Sequence, residues 1–218
     1  MKKPIEFYWS QKIQKCQEAF EKHNFDVFTV RRIDAVKSPI IDDILPQLHV
    51  QSVSWGDSIS MLSSGILPAV EDLPGVTLIK TFEDGVPREE ILERRRQALL
   101  VDLFLTGSNA ITESGQLVNL DMVGNRVAGL TFGPQNVIVV VGRNKIVANV
   151  GAAMERVKNQ AAPLNAMRHT GWKTPCAKTA FCMDCKSPGR ICNTWTITEK
   201  SFPRGRIKII IVNEDLGL

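Results

Sequence analysis

Residues 137–141, Val-Ile-Val-Val-Val, are apolar at every position. A strand with one wet face alternates apolar and polar side chains, so a run of this kind needs cover on both faces. The centre of a mainly parallel sheet flanked by helices supplies that cover. The surrounding pattern agrees with an α/β fold. Strands are predicted at Phe25–Val30, Val50–Trp55, Val76–Phe82 and Leu100–Thr106, with a short one at Lys145–Ala148. Helices are predicted between them. Residues 5–23 place Trp9, Ile13, Cys16 and Phe20 on one face, with Cys16 read as a small core hydrophobe. Ser38 and Pro39 read as N-cap and first-turn proline of a helix ending near Pro46. One helical run carries Ile59, Leu62 and Ile66. A charged helix extends from Pro87 to about Ala98, with Glu90 and Arg94 paired one turn apart. Asn149 caps a last helix, which Pro163 ends. Residues 106–121 read as polar loop. Two strands, Thr194–Thr198 and Arg206–Val212, follow a cysteine-rich coil.

These elements predict one domain over residues 1–218: an α/β core at 1–168, a cysteine-rich insertion at 169–193 and closing strands at 194–218. The net charge of +4 is mild, and basic residues are interspersed with acidic ones, as in Glu89–Arg96. Nucleic-acid binding favours a concentrated basic face with interleaved aromatics, which the sequence lacks. No run of about 18 apolar residues is present, so no membrane span is expected. The basic N-terminus is followed by no apolar run or small-residue cleavage site, so a cytoplasmic, reducing setting is expected.

In such a setting clustered cysteines are metal ligands or catalytic groups more often than disulfides. Four cysteines are spaced Cys176-x5-Cys182-x2-Cys185-x6-Cys192, among Pro175, Pro188 and Gly189. Coil of this composition lets thiolates converge without breaking a sheet ladder. Lys178, Lys186 and Arg190 offset their charge and favour the thiolate form. A tetrahedral zinc site commonly uses two C-x2-C knuckles, and only one is present. Cysteine thiolates also hold iron–sulfur clusters, although the spacing is not that of a ferredoxin. A redox dithiol at Cys182 and Cys185 would call for a helix start near a βαβ unit, unlike this context. The expectation is a metal centre on all four cysteines, either an iron–sulfur cluster, [4Fe–4S] in type, or zinc. His169 reads as a further ligand, an acid–base group or a plain loop histidine.

Two polar loops follow apolar strands, where open α/β sheets place ligands. The first holds Gly56, Asp57 and Ser58, which can present backbone N–H groups to an anion or simply cap a helix. The second holds Gly107, Asn109, Glu113 and Gly115, with Asn125 and Arg126 downstream. Glu113 is the candidate nucleophile or general base, and Arg126 the candidate clamp for a carboxylate or phosphate. The alternative for this second group is a set of Asx turns and solvated charges. Neither a dinucleotide fingerprint nor a Walker loop occurs.

The stretch TGSNAITESGQLVNLDMVGNRVAGLTFGPQNVIVVVGRNKIV resembles the LUD domain of lactate-utilization proteins. SVSWGDSISMLSSGILPAV is similar to that family's strand–turn–helix, and TPCAKTAFCMDCKSPGRICN with RGRIKIIIVNEDLGL to its stand-alone, cysteine-bearing branch. The resemblance runs from about residue 8 to the end. It implies a fold like the NagB/RpiA/CoA-transferase superfamily and a part in oxidising lactate within an iron–sulfur-dependent system. The ferredoxin-type motifs of the larger family member are missing from this sequence. By the same fold analogy, Glu113-Ser114-Gly115 sits where CoA transferases can carry a catalytic glutamate.

Three functions follow as expectations. One is an iron–sulfur redox or electron-transfer component for a small hydroxy acid, binding a small anionic metabolite and redox partner subunits. The second is an acyl/CoA transferase or sugar-phosphate isomerase using Glu113 with structural zinc. The third is a non-catalytic assembly subunit of a redox complex. A homodimer is the general expectation for oligomeric state.

Overall fold

The computed structural model describes residues 2–169 and 171–218. The run at 137–141 lies within β7 (Asn136–Gly142), whose residues from Val137 onward are buried. β7 pairs in parallel with β4 (Leu103–Gly107) and β10 (Ile207–Val212). β1 (Asp26–Val30), β2 (Ser52–Trp55) and β3 (Thr77–Ile79) complete a six-stranded parallel sheet in the order β1-β10-β7-β4-β2-β3. Successive side chains point to opposite faces, so the central strand feeds two cores. Val137, Val139 and Val141 join Ile207, Ile209 and Ile211 beneath Ile13, Cys16 and Phe20 of α1 (Lys2–Lys22). Ile138 and Val140 join Ile210, Val212 and Val53 on the other face. There Met61 of α2 (Ile59–Ser64) and Ile66, Leu67 and Val70 of α3 (Ile66–Glu71) cover them. Full burial of such side chains stabilises by roughly 1.5–3 kcal/mol each, which is why the apolar run sits here.

Several local expectations are corrected. The run from Ile59 to Ile66 is two helices, because Gly65 adopts φ +64 and stops α2. Ser38 is itself helical. It does not cap; its hydroxyl donates to Asp42 Oδ2 at 2.8 Å, and a wide π turn follows at Pro39–Ile44. Pro163 does not end the last helix. α6 (Val150–Arg156) passes through a π turn, Val157–Ala161, into α7 (Ala162–Arg168). A proline in the first turn of the new segment has no N–H that needs a partner.

The predicted loop at 106–121 is largely strand. β5 (Ala110–Thr112) and β6 (Leu117–Asp121) form a hairpin in a second sheet, ordered β8-β5-β6-β9. β8 is Ile146–Val147, and β9 is Thr194–Thr198. The polar residues that suggested a loop bond to one another instead: the Gln116 N–H donates to Thr112 Oγ1 at 3.0 Å, and Ser108 Oγ to Asn119 Oδ1 at 3.3 Å. Among the described residues, the segment after α7 is mostly coil around one short helix, α8 (Cys176–Thr179). It leaves the core at α7 and returns as β9, on the edge of the small sheet. Among the described residues no helix is long and apolar enough to cross a membrane.

Candidate functional site

In chain order the main sheet reverses its direction of growth at β2. The chain moves outward to β3, then returns to the other side of β2 as β4. At such a reversal the loops leaving the carboxyl ends of the strands part and form a crevice. A cavity of about 350 Å³ opens there. Its walls come from Asp57 and Ser58 after β2, from Gly107 at the end of β4 and Asn109 after it, and from Asn125 and Arg126 at the start of α5 (Asn125–Thr131). The two polar loops singled out in the sequence therefore meet at one place. They also touch: a Cβ on Gly107 would lie 2.5 Å from Ser58 Oγ. Gly56 sits directly behind, its N–H donating to Leu105 O at 2.9 Å, where a Cβ would approach Thr106 Oγ1 to 3.2 Å.

Within this wall the side chains have unequal duties. Ser58 caps α2, accepting from the Met61 N–H at 3.4 Å. Arg126 is held rather than offered. Its Nη1 donates to Asn119 Oδ1 at 2.6 Å, and its Nη2 donates to Asn109 Oδ1 and Leu120 O, each at 2.9 Å. Its Nε lies 3.3 Å from Asp121 Oδ2. The expected ligand clamp is thus the fastener of the β5–β6 hairpin. Asp57 pairs with Arg168 at the end of α7 and lies 3.6 Å from His169 Nε2. His169 stacks on Trp172 with ring centroids 4.5 Å apart. Burial, then the neighbouring Arg168, pulls its pKa below 6.5, while Asp57 opposes them.

Glu113 and Gly115 stand apart from the cavity. Lys12 and Lys15 of α1 hold the Glu113 carboxylate at 2.6 and 3.0 Å, and these bonds lower its pKa. Gly115 turns at φ +83 against the α1 backbone, where a Cβ would come within 2.7 Å of the Ala19 carbonyl carbon.

The four clustered cysteines are free thiols, each partly buried. Cys192, with Ile191, forms part of the cavity wall. Burial raises its pKa, opposed by Lys158 and Arg190, while Cys182 and Cys176 push the same way as burial. Arg190 organises the segment, donating to Cys185 O at 2.6 Å, Cys192 O at 2.8 Å and Asp184 Oδ1 at 2.8 Å. The Asp184 N–H donates to Cys182 Sγ at 3.4 Å, inside the C-x2-C turn. The donors are right in type and number for a thiolate-held metal. In this structure, among the described residues, no three His, Cys, Asp or Glu side chains converge closely enough to hold an ion.

The LUD-domain family profile matches residues 13–212. The chain belongs to the LUD-domain family. That family is associated with lactate utilization. A search of curated proteins finds no match. Among solved structures, this LUD domain is similar to a DUF162 family protein from Deinococcus radiodurans, at 17% identity over 94% of this chain and 98% of that one, with a TM-score of 0.48.

Sequence reasoning missed three cations in the cavity wall of this LUD domain: Arg95, Lys145 and Arg168. Arg95 lay in what reads as a solvated charged helix, now α4 (Arg88–Gln97). Lys145 was assigned to a short strand. Its position just past the wholly apolar run of β7 was the available signal, because a lysine there has little solvent to reach.

Proposed function

We propose that this LUD-domain chain is a redox component acting on a small 2-hydroxy acid of the lactate type. The acid is held in the cavity, and Cys176, Cys182, Cys185 and Cys192 are the ligands of an iron–sulfur cluster. The observation that carries this reading is that Cys192 lines the same cavity as Arg95, Lys145 and Arg168. Four basic side chains (Arg95, Arg126, Lys145, Arg168) face two carboxylates (Asp57, Asp121), both already ion-paired. That balance favours an anion of a few heavy atoms, and the volume admits one. An iron–sulfur cluster supplies electron transfer when bound. The chain's own residues do the rest. Arg95, whose Nε has no partner among the described residues, attracts and orients the carboxylate, and the Trp172 ring forms part of the wall. Glu113 is ion-paired outside the cavity, so this reading gives it no chemical step.

Anaerobic purification tests this, with visible absorption, iron, sulfide and zinc measured on one sample. Expected are iron and acid-labile sulfide with a broad visible band, lost in Cys182→Ala. A colourless protein carrying one zinc per chain would overturn the redox role and make the segment structural.

A further inference from the structure

Lys145 lies in the single turn after β7 (Arg143–Lys145) and is 5% exposed. Its Nζ donates to Ser60 Oγ at 3.0 Å, and the side chain lines the cavity. Among the described residues it pairs with no carboxylate. Arg168 and His169 engage Asp57, and Arg126 with the Val123 and Gly124 N–H groups engages Asp121. The charges that act on it are cations, Arg156 from α6 and Arg126 from α5. A buried amine with like charges around it favours the neutral form, which carries a nucleophilic lone pair.

We propose that Lys145 is a nucleophilic amine that condenses in this cavity with the carbonyl of a small 2-oxo acid. The Nζ lone pair forms a bond to the carbonyl carbon, giving a carbinolamine. The carbonyl oxygen then leaves as water with the two amine protons, and a carbon–nitrogen double bond remains. No oxidant or reductant enters this step. Burial first, then Arg156 and Arg126, bring the Lys145 pKa down to about 7, so a large share of the amine is neutral at neutral pH. Arg95 supplies the partner for the acid's carboxylate: it lines the cavity, and its Nε is buried with no partner among the described residues. This rests on the reading of the cavity as a hydroxy-acid site, because a 2-oxo acid is the oxidation product of a 2-hydroxy acid.

The test treats the whole chain with pyruvate and sodium cyanoborohydride near neutral pH, followed by intact mass and peptide mapping. Pyruvate binding is measured in parallel by calorimetry without reductant. Expected is one reduced adduct per chain, mapping to the peptide with Lys145 and absent from Lys145→Met. The map on the unaltered protein stands even if that variant folds poorly. Pyruvate binding with no adduct, or with adducts spread over surface lysines, overturns the nucleophile and leaves the anion site intact. Absence of both binding and adduct overturns the nucleophile and the hydroxy-acid reading together.

Discussion

Arg126 Nη2 donates to Asn109 Oδ1 at 2.9 Å, joining the start of α5 to the turn after β4. The same guanidinium also reaches Asn119 and Leu120. Arg126→Met would remove these bonds and leave the nearly buried Asp121 carboxylate without its cation, and breaking a buried pair on one side costs about 3–5 kcal/mol. The expected loss is about 3 kcal/mol or more in denaturant unfolding. Lys at this position recovers only part of it, since one ammonium cannot reproduce the fork.

Gly107 and Ser58 allow a cleaner test of the cavity wall. In Gly107→Ala the new methyl meets Ser58 Oγ, and overpacking of this kind costs about 1–3 kcal/mol. Ser58→Ala removes that atom, along with a helix cap worth about 1 kcal/mol. The double variant should therefore be more stable than the sum of the two single losses predicts. Strict additivity in the four-member cycle would show that the loops do not touch.

Glu113 carries an acid-stability signature. Its pKa is lowered by hydrogen bonds from Lys12 and Lys15. A carboxylate with a depressed folded-state pKa stabilises above its unfolded value, and that stability is lost as pH falls through the folded value. Glu113→Gln should thus cost about 1 kcal/mol at neutral pH, the scale for a pair near the surface. The cost should vanish in strong acid, with pyruvate binding unchanged throughout. Chemical denaturation at several pH values reads the first effect, and calorimetry the second.

Asp57 is the one influence that raises the His169 pKa, against burial and Arg168. Asp57→Asn should lower that pKa further, as followed by NMR titration of the imidazole. The change also releases Arg168 to the cavity, so anion affinity should rise and become more salt-dependent. An upward shift of His169 would place the imidazole elsewhere.

The sheet was legible where burial dominates. Val137–Val141 announced the central strand because a run with no polar position has one stable environment. The hairpin at 110–121 was hidden because its polar residues satisfy one another across two strands, and composition cannot distinguish that from solvation. The π turn before Pro163 was hidden because local propensity reads proline as a stop. In the site, loop chemistry after β2 and β4 was visible. Lys145, Arg95 and Arg168 were not, since their gathering depends on elements distant in the chain. Arg126 was seen but its fastening of the hairpin was not, because its partners Asn109, Asn119 and Asp121 looked like loop residues.

β10 comes after every other strand in chain order, yet it fills the gap between β1 and β7. On the ribosome both neighbours are made well before the strand that separates them. Their unpaired edges stay open to association until β10 inserts, and closure over so long a separation is slow. The cysteine segment emerges just ahead of β10. Its four thiols thus emerge while the nascent sheet is incomplete, so their exposure and the final strand insertion fall in the same interval of biogenesis.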